Sequence, residues 1–345
     1  MRLIEEQAYG VLFPVMLDLT LSETILRFLD CGGRSLLFGE SADEYKSGVM
    51  SPARRAAEST EAWRRATSAA RSRADGLIAA LDTDISAVHR LQGLVPDLPT
   101  LRDAQTMLID DLERHIGFVA LAAADLGVNM FLSPTADVTE PGNVWLDGRT
   151  LGHNVSEVAR LVSAYVRGCQ RGGVASALKH FPGNPRLTAH PATDASATVP
   201  LEIGELRQYL SPFVAGISAG AEAVMMSPSL YQAANPPAAG SISKDLVQLL
   251  RGSLGFRGLV MTCDLDHPAT MGDRGLPETA VLALEAGADL LLISPRGVEH
   301  IPAVVDAICG AVRGGRLDAD RLRAAATALD RVAIRPAALA VHSPH

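Results

Sequence analysis

The sequence predicts an α/β fold of the (β/α)8 barrel (TIM-barrel) type in one domain. Three observations carry that reading. Eight short apolar runs recur along the 345 residues, each followed by a helix-like segment. The runs are near-continuous in Val, Leu, Ile, Ala and Met rather than alternating, as strands covered on both faces are. The turn after the first run reads LTLSET, without the glycines that a doubly wound nucleotide-binding sheet places there. Eight strand–helix pairs in series favour a closed parallel barrel.

Taken in order, the strands are expected at 11–18 (VLFPVMLD), 35–39, 77–82, 128–137 (VNMFLSPTAD), 174–180, 222–227, 258–264 and 289–294. Helical patterns fill the intervals at 22–31 (SETILRFLDC), 53–75, 101–126, 155–172, 204–219, 242–254, 277–287 and 298–313. The charged, Ala-rich stretch 40–76 reads as a solvated helix, with a lid or partner helix as the alternative. The domain is expected to span residues 8–335, followed by a flexible C-terminal tail over 336–345 (PAALAVHSPH).

Composition narrows the function. Apolar residues are 48% and charged residues 20%, which excludes a disordered chain. Lys plus Arg number 31 against 39 Asp plus Glu, so the net charge of −8 argues against a nucleic-acid partner. The four cysteines (Cys31, Cys169, Cys263 and Cys309) form no C-x-x-C pair and read as reduced thiols, not as a disulfide framework or a zinc site. The N-terminus MRLIEEQAYG is acidic where a signal peptide would be basic, and no apolar run is long enough to span a membrane. A cytoplasmic protein that needs neither metal nor cofactor is the expectation.

Barrel active sites form where strands end. Here the ends supply Asp18, Gly39, Asp82, Asp137, Lys179 with His180, Ser227, Cys263 with Asp264, and Ser294. Any lone Asp among them could simply cap the next helix. Convergence of so many polar groups on one mouth points instead to a pocket.

Among these ends, ALKHFPG (177–183) resembles the KHFPG motif of glycoside hydrolase family 3, and most of all its barrel-only bacterial β-N-acetylglucosaminidases. Further similarity lies in SPTADV (133–138), in GFRGLVMTCDL (255–265) against the family's GFDGVVFSDDL, and in ETAVLALEAGADLLLI (278–293). In LDTDISAVHR (81–90) only the ends and the Val of the family's D-Q-E-G-G-R-V-Q-R stretch are kept. The resemblance covers residues 11–300. It implies that Asp82, Arg90, Arg149 (in LDGRTLG), Lys179 and His180 bind the sugar, a donor and acceptor set suited to hydroxyls and carbonyls. For Arg90 and Arg149 a surface salt bridge is the alternative.

The positions that do chemistry in that family are altered. Its nucleophile, the first Asp of S-D-D-L, falls on Cys263, and the second Asp on Asp264. Its loop acid/base His falls on Ser196, with Asp194 on the preceding Asp, in NPRLTAHPATDASATVP (184–200). The His after KHFPG becomes Asn184, the next Gly becomes Pro185, and an Ala-His pair becomes Ser227-Pro228. A retaining glycosidase needs a carboxylate nucleophile opposite an acid/base. The candidate substitutes are Cys263 or Asp264 for the first and His190 or Asp194 for the second. Cys263 is a nucleophile only if its pKa falls, and otherwise a small buried thiol. Asp264 should point away from Cys263 unless the strand end bends. His190 is either an acid/base or a solvated loop residue, and the loop 184–200 either a lid or a surface excursion.

Three readings follow. The chain is a glycosidase-type hydrolase of a β-linked N-acetylhexosamine-type sugar, or a silent sugar-binding sensor, or a biosynthetic enzyme acting on a sugar-bearing intermediate. In each the partner is a small carbohydrate or glycosylated metabolite. Without a carboxylate nucleophile, hydrolysis is expected to be slow or absent.

Overall fold

A computed structural model describes residues 2–333. All eight expected strands form: β1 (Leu12–Met16), β2 (Ser35–Phe38), β3 (Ile78–Leu81), β4 (Met130–Phe131), β5 (Ala175–Phe181), β6 (Ala223–Met226), β7 (Leu259–Met261) and β8 (Leu291–Ile293). They pair in parallel in the order β7-β6-β5-β4-β3-β2-β1-β8. A parallel bridge between Met261 and Leu290 joins the two ends and closes the barrel. No helix among the described residues is long and apolar enough to cross a membrane.

The period-two geometry of a strand sorts its residues into two cores. Phe13, Val15, Leu37, Ile78, Ala80, Met130, Ala175, Ala177, Ala223, Met225, Leu259 and Met261 fill the barrel interior. Their neighbours Leu12, Leu36, Phe38, Ala79, Leu81, Phe131, Leu178 and Val260 face the surrounding helices. Extending the interior rows by one step puts Asp82 after Ile78 and Ala80, Lys179 after Ala175 and Ala177, and Cys263 after Leu259 and Met261. The apolar filling therefore stops on polar groups, at the C-terminal face.

The helices depart from expectation in specific ways. The segment 53–75 is not one helix. Ser41, Ser51 and Ser59 each cap a new start, giving helices Ala42–Ser47, Pro52–Ala57 and Thr60–Arg71. The expected helix 101–126 breaks at Met107 and Leu108 into Leu101–Thr106 and Ile109–Asp125. The strand expected over 128–137 pairs regularly only at Met130–Phe131, because Pro134 has no N–H to donate. A helix not foreseen, Arg2–Gly10, precedes β1. The tail expected over 336–345 lies outside the described residues.

Candidate active site

Lys179 ends the interior row of β5 and is fully buried. Its Nζ pairs with Asp82 and lies 2.8 Å from Asp84 Oδ2. Burial works against the ammonium charge, but the two carboxylates outweigh it and hold the pKa above the ordinary lysine range. Asp84 is fixed in turn, accepting from Thr135 N at 3.1 Å and Thr135 Oγ1 at 3.2 Å.

His180 anchors the other side. Its N–H and Nδ1 approach Asp137 Oδ2 at 2.7 and 2.8 Å, while Asp137 Oδ1 accepts from Asn184 N at 2.8 Å and Nδ2 at 2.9 Å. A carboxylate only accepts, so Nδ1 carries the ring proton and Nε2 is left as an acceptor. Burial lowers the His180 pKa despite Asp137, which keeps the ring neutral. Gly183, at φ +104°, turns the chain so that Asn184 can reach Asp137. Asn184 Oδ1 also accepts from Ser227 Oγ at 2.9 Å and from Tyr231 at 3.2 Å. Asn184 and Ser227, two of the positions expected to differ from the family pattern, therefore bond to each other.

Arg149 stacks on Tyr45, its guanidinium carbon 4.4 Å from the ring centroid, and its buried Nε makes no hydrogen bond. Tyr45 comes from the 40–76 segment, so that segment lines the mouth. Trp145 packs against His180 at 4.6 Å between ring centroids and against His190 at 6.2 Å. His190 is half-buried, and burial and the nearby His267 and Arg149 lower its pKa. Its Nδ1 accepts from Ala192 N at 3.2 Å.

At β7 the strand ends at Met261 and the backbone turns. Cys263 Sγ lies 4.0 Å from Asp264 Oδ2, and His267 Nε2 lies 3.3 Å from the same oxygen. Burial, then the Asp264 charge, pushes the Cys263 thiol well above its ordinary pKa. Burial and the charges of Asp266 and Asp82 also raise Asp264, against the pull of His267.

The other expected residues sit differently. Arg90 is 1% exposed, and its guanidinium bonds Gly39 O at 2.6 Å and Glu58 at 2.7 Å. It stacks on Trp63 and lines a cavity of about 440 Å³ with Arg54 and Glu58, so its donors serve the fold around β2 and not a surface ion pair. Asp194 is exposed and accepts from Ser196 N at 2.8 Å and Ser196 Oγ at 2.7 Å, closing its own turn. The 184–200 loop is tied down by Glu140 N on Pro185 O, Leu230 N on Ala197 O and Ala269 N on Pro191 O, at 3.0, 2.9 and 3.2 Å. Sequence reasoning missed Glu40, Tyr45, Asp84, Trp145 and His267. Glu40, two residues beyond β2, has a buried Oε2 without a hydrogen-bond partner. Burial and the Asp82 charge raise its pKa to about 8.

A closed barrel with a lysine, carboxylates, a neutral histidine and an arginine converging on its C-terminal face is the architecture of a barrel enzyme with a polar pocket for a small molecule. Residues 42–332 match the Glycosyl hydrolase family 3 N terminal domain, and the chain belongs to that family. It is 34% identical over 246 residues to a β-hexosaminidase of Stenotrophomonas maltophilia, covering 69% of this chain and 71% of that protein. A β-hexosaminidase of Xanthomonas campestris is 36% identical over 180 residues, 52% of this chain and 54% of that one. The glycoside hydrolase family 3 β-N-acetylglucosaminidase from a Paenibacillus species superposes with a TM-score of 0.84 at 27% identity, covering 98% of this chain but 64% of that one. A Beutenbergia cavernae β-N-acetylhexosaminidase, 24% identical, shares the fold with a TM-score of 0.81 over 96% of this chain and 97% of that one. The chain is thus a β-hexosaminidase-like member of the family.

Proposed function

We propose that the barrel mouth holds a β-linked N-acetylhexosamine-type sugar and that its hydrolysis is slow or absent. The observation that carries this reading is the charge arrangement around Lys179. A buried ammonium between Asp82 and Asp84, at the end of an interior row, is costly to build and supplies little stability in return. It does supply fixed donors and acceptors for hydroxyl groups. Arg149, with an unpartnered Nε beside Tyr45, and the Nε2 acceptor of His180 beside Trp145 extend the same surface. Arg90 is a positioning residue in this scheme, holding the chain after β2 through Gly39.

The second half rests on Cys263. It takes the interior position from which a carboxylate would attack, and its protonated, buried thiol is a poor nucleophile. Asp264 and His190 remain the candidates for residual chemistry, while Asp194 would act only by leaving its turn. Calorimetric titration with N-acetylglucosamine tests the binding half. Saturable heat that disappears in Arg149→Ala and Asp82→Asn is the expected result, and no heat from wild type would overturn the reading.

A further inference from the structure

The turn after β7 brings together a donor set that sugar binding does not call on. Cys263 Sγ, a carboxylate oxygen of Asp264 and a ring nitrogen of His267 all lie within 4.8 Å of one another, the one such His/Cys/carboxylate trio among the described residues. The turn itself is fixed by His267 N on Asp264 O at 3.2 Å, and its flanks by Cys263 N on Met226 O at 3.2 Å and Leu265 N on Leu292 O at 3.0 Å. Cys263 is 5% exposed, and His267 Nδ1 is buried with no hydrogen-bond partner. The spacing C-D-x-x-H lacks a second cysteine, which is why it does not announce itself in the sequence.

We propose that Cys263, Asp264 and His267 bind a divalent cation of the zinc type, with a fourth coordination position open to the barrel mouth. Metal–ligand bonds of about 2.0–2.3 Å in a tetrahedron place neighbouring donor atoms roughly 3.3–3.6 Å apart. The Asp264–His267 pair, at 3.3 Å, already meets that spacing. Cys263 and Asp264, at 4.0 Å, need to close by about half an ångström, within the reach of a side-chain rotation. A thiolate and an imidazole select zinc over magnesium or calcium, which take oxygen ligands. Binding replaces the thiol proton by the metal and releases that proton to solvent, so affinity rises with pH. One thiolate and one carboxylate neutralise the dication within the buried site.

Cobalt(II) is the probe. The full chain, stripped with a chelator and dialysed, is titrated with cobalt(II) and then with zinc(II). The expected result is one cobalt per chain with a thiolate-to-cobalt charge-transfer band in the near ultraviolet, bleached by one equivalent of zinc. Cys263→Ser should abolish the band, and His267→Gln, a change on the half-buried turn that leaves the interior intact, should weaken binding at least ~10-fold. No thiolate band in wild type at stoichiometric cobalt would overturn the proposal. So would a band that survives in Cys263→Ser or binding unchanged in His267→Gln, since either would place the metal on other residues.

Discussion

Cys263 and Asp264 are consecutive residues, yet their side chains approach to 4.0 Å. In a continuing strand they would point to opposite faces. Regular pairing ends at Met261, and the turn that His267 N closes on Asp264 O swings the carboxylate back toward the interior row. The bend puts a carboxylate beside the position that Cys263 fills, without placing it on the interior row itself.

Burial and the neighbouring Asp264 disfavour the Cys263 thiolate, so the thiol should react slowly. Alkylation with iodoacetamide at pH 7, followed by peptide mass spectrometry, should label the half-buried Cys31 well before Cys263. The Cys263 rate should rise only above the ordinary thiol range, because burial and Asp264 raise its pKa. Rapid labelling of Cys263 at neutral pH would contradict this.

Lys179 is tied to two carboxylates at once. Lys179→Met should cost about 3–5 kcal/mol, because Asp82 and Asp84 are left buried and unpaired. Urea unfolding measures the loss, and Lys179→Met combined with Asp82→Asn should recover part of it.

Asn184 links three elements. Asn184→Ala strips a donor from Asp137 and an acceptor from Ser227, at about 1–3 kcal/mol for each buried group left unsatisfied, while Tyr231 keeps its shorter bond to Gly183 O at 2.8 Å. Asn184→Asp should be worse, since it sets a carboxylate against Asp137. Thermal unfolding of the two variants gives the ranking.

Glu40 sets a pH dependence. Its pKa rises from the ordinary carboxyl value of 4.5 to about 8 in the fold, first by burial and then by the Asp82 charge. The folded protein therefore binds this proton more tightly than the unfolded chain. Its contribution to stability is complete below pH 4.5 and is lost as pH rises through about 8. Glu40→Gln should flatten the fall in melting temperature across that window. An unchanged slope would remove Glu40 from the account.

The barrel was legible because parallel strands covered on both faces leave long apolar runs, and all eight lie where those runs stand. Lys179 and His180 were legible because five consecutive residues, KHFPG, sit at a strand end. Tyr45 and Trp145 were not, since each reaches the mouth from a segment whose own pattern says only helix or loop. Asp84 was hidden by its neighbour Asp82, and His267 by depending on a turn that brings it back onto Asp264. Arg90 shows the limit of matching by position. The residue stands where a sugar contact is expected, but Glu58, the residue that follows the helix Pro52–Ala57 and lies outside that motif, takes up its guanidinium. The long helix expected over 53–75 fails for a local reason, since Ser51 and Ser59 each start a new helix.

A mouth that holds the sugar but lacks a carboxylate nucleophile at position 263 should bind the sugar without turning it over. Release of aryl alcohol from an aryl β-N-acetylglucosaminide, measured for wild type, Cys263→Ala and Cys263→Asp, tests this most directly. Release near background is expected for the first two, with a gain of several orders of magnitude in Cys263→Asp. Fast release by wild type that disappears in Cys263→Ala would contradict it, and would make the thiol itself the nucleophile.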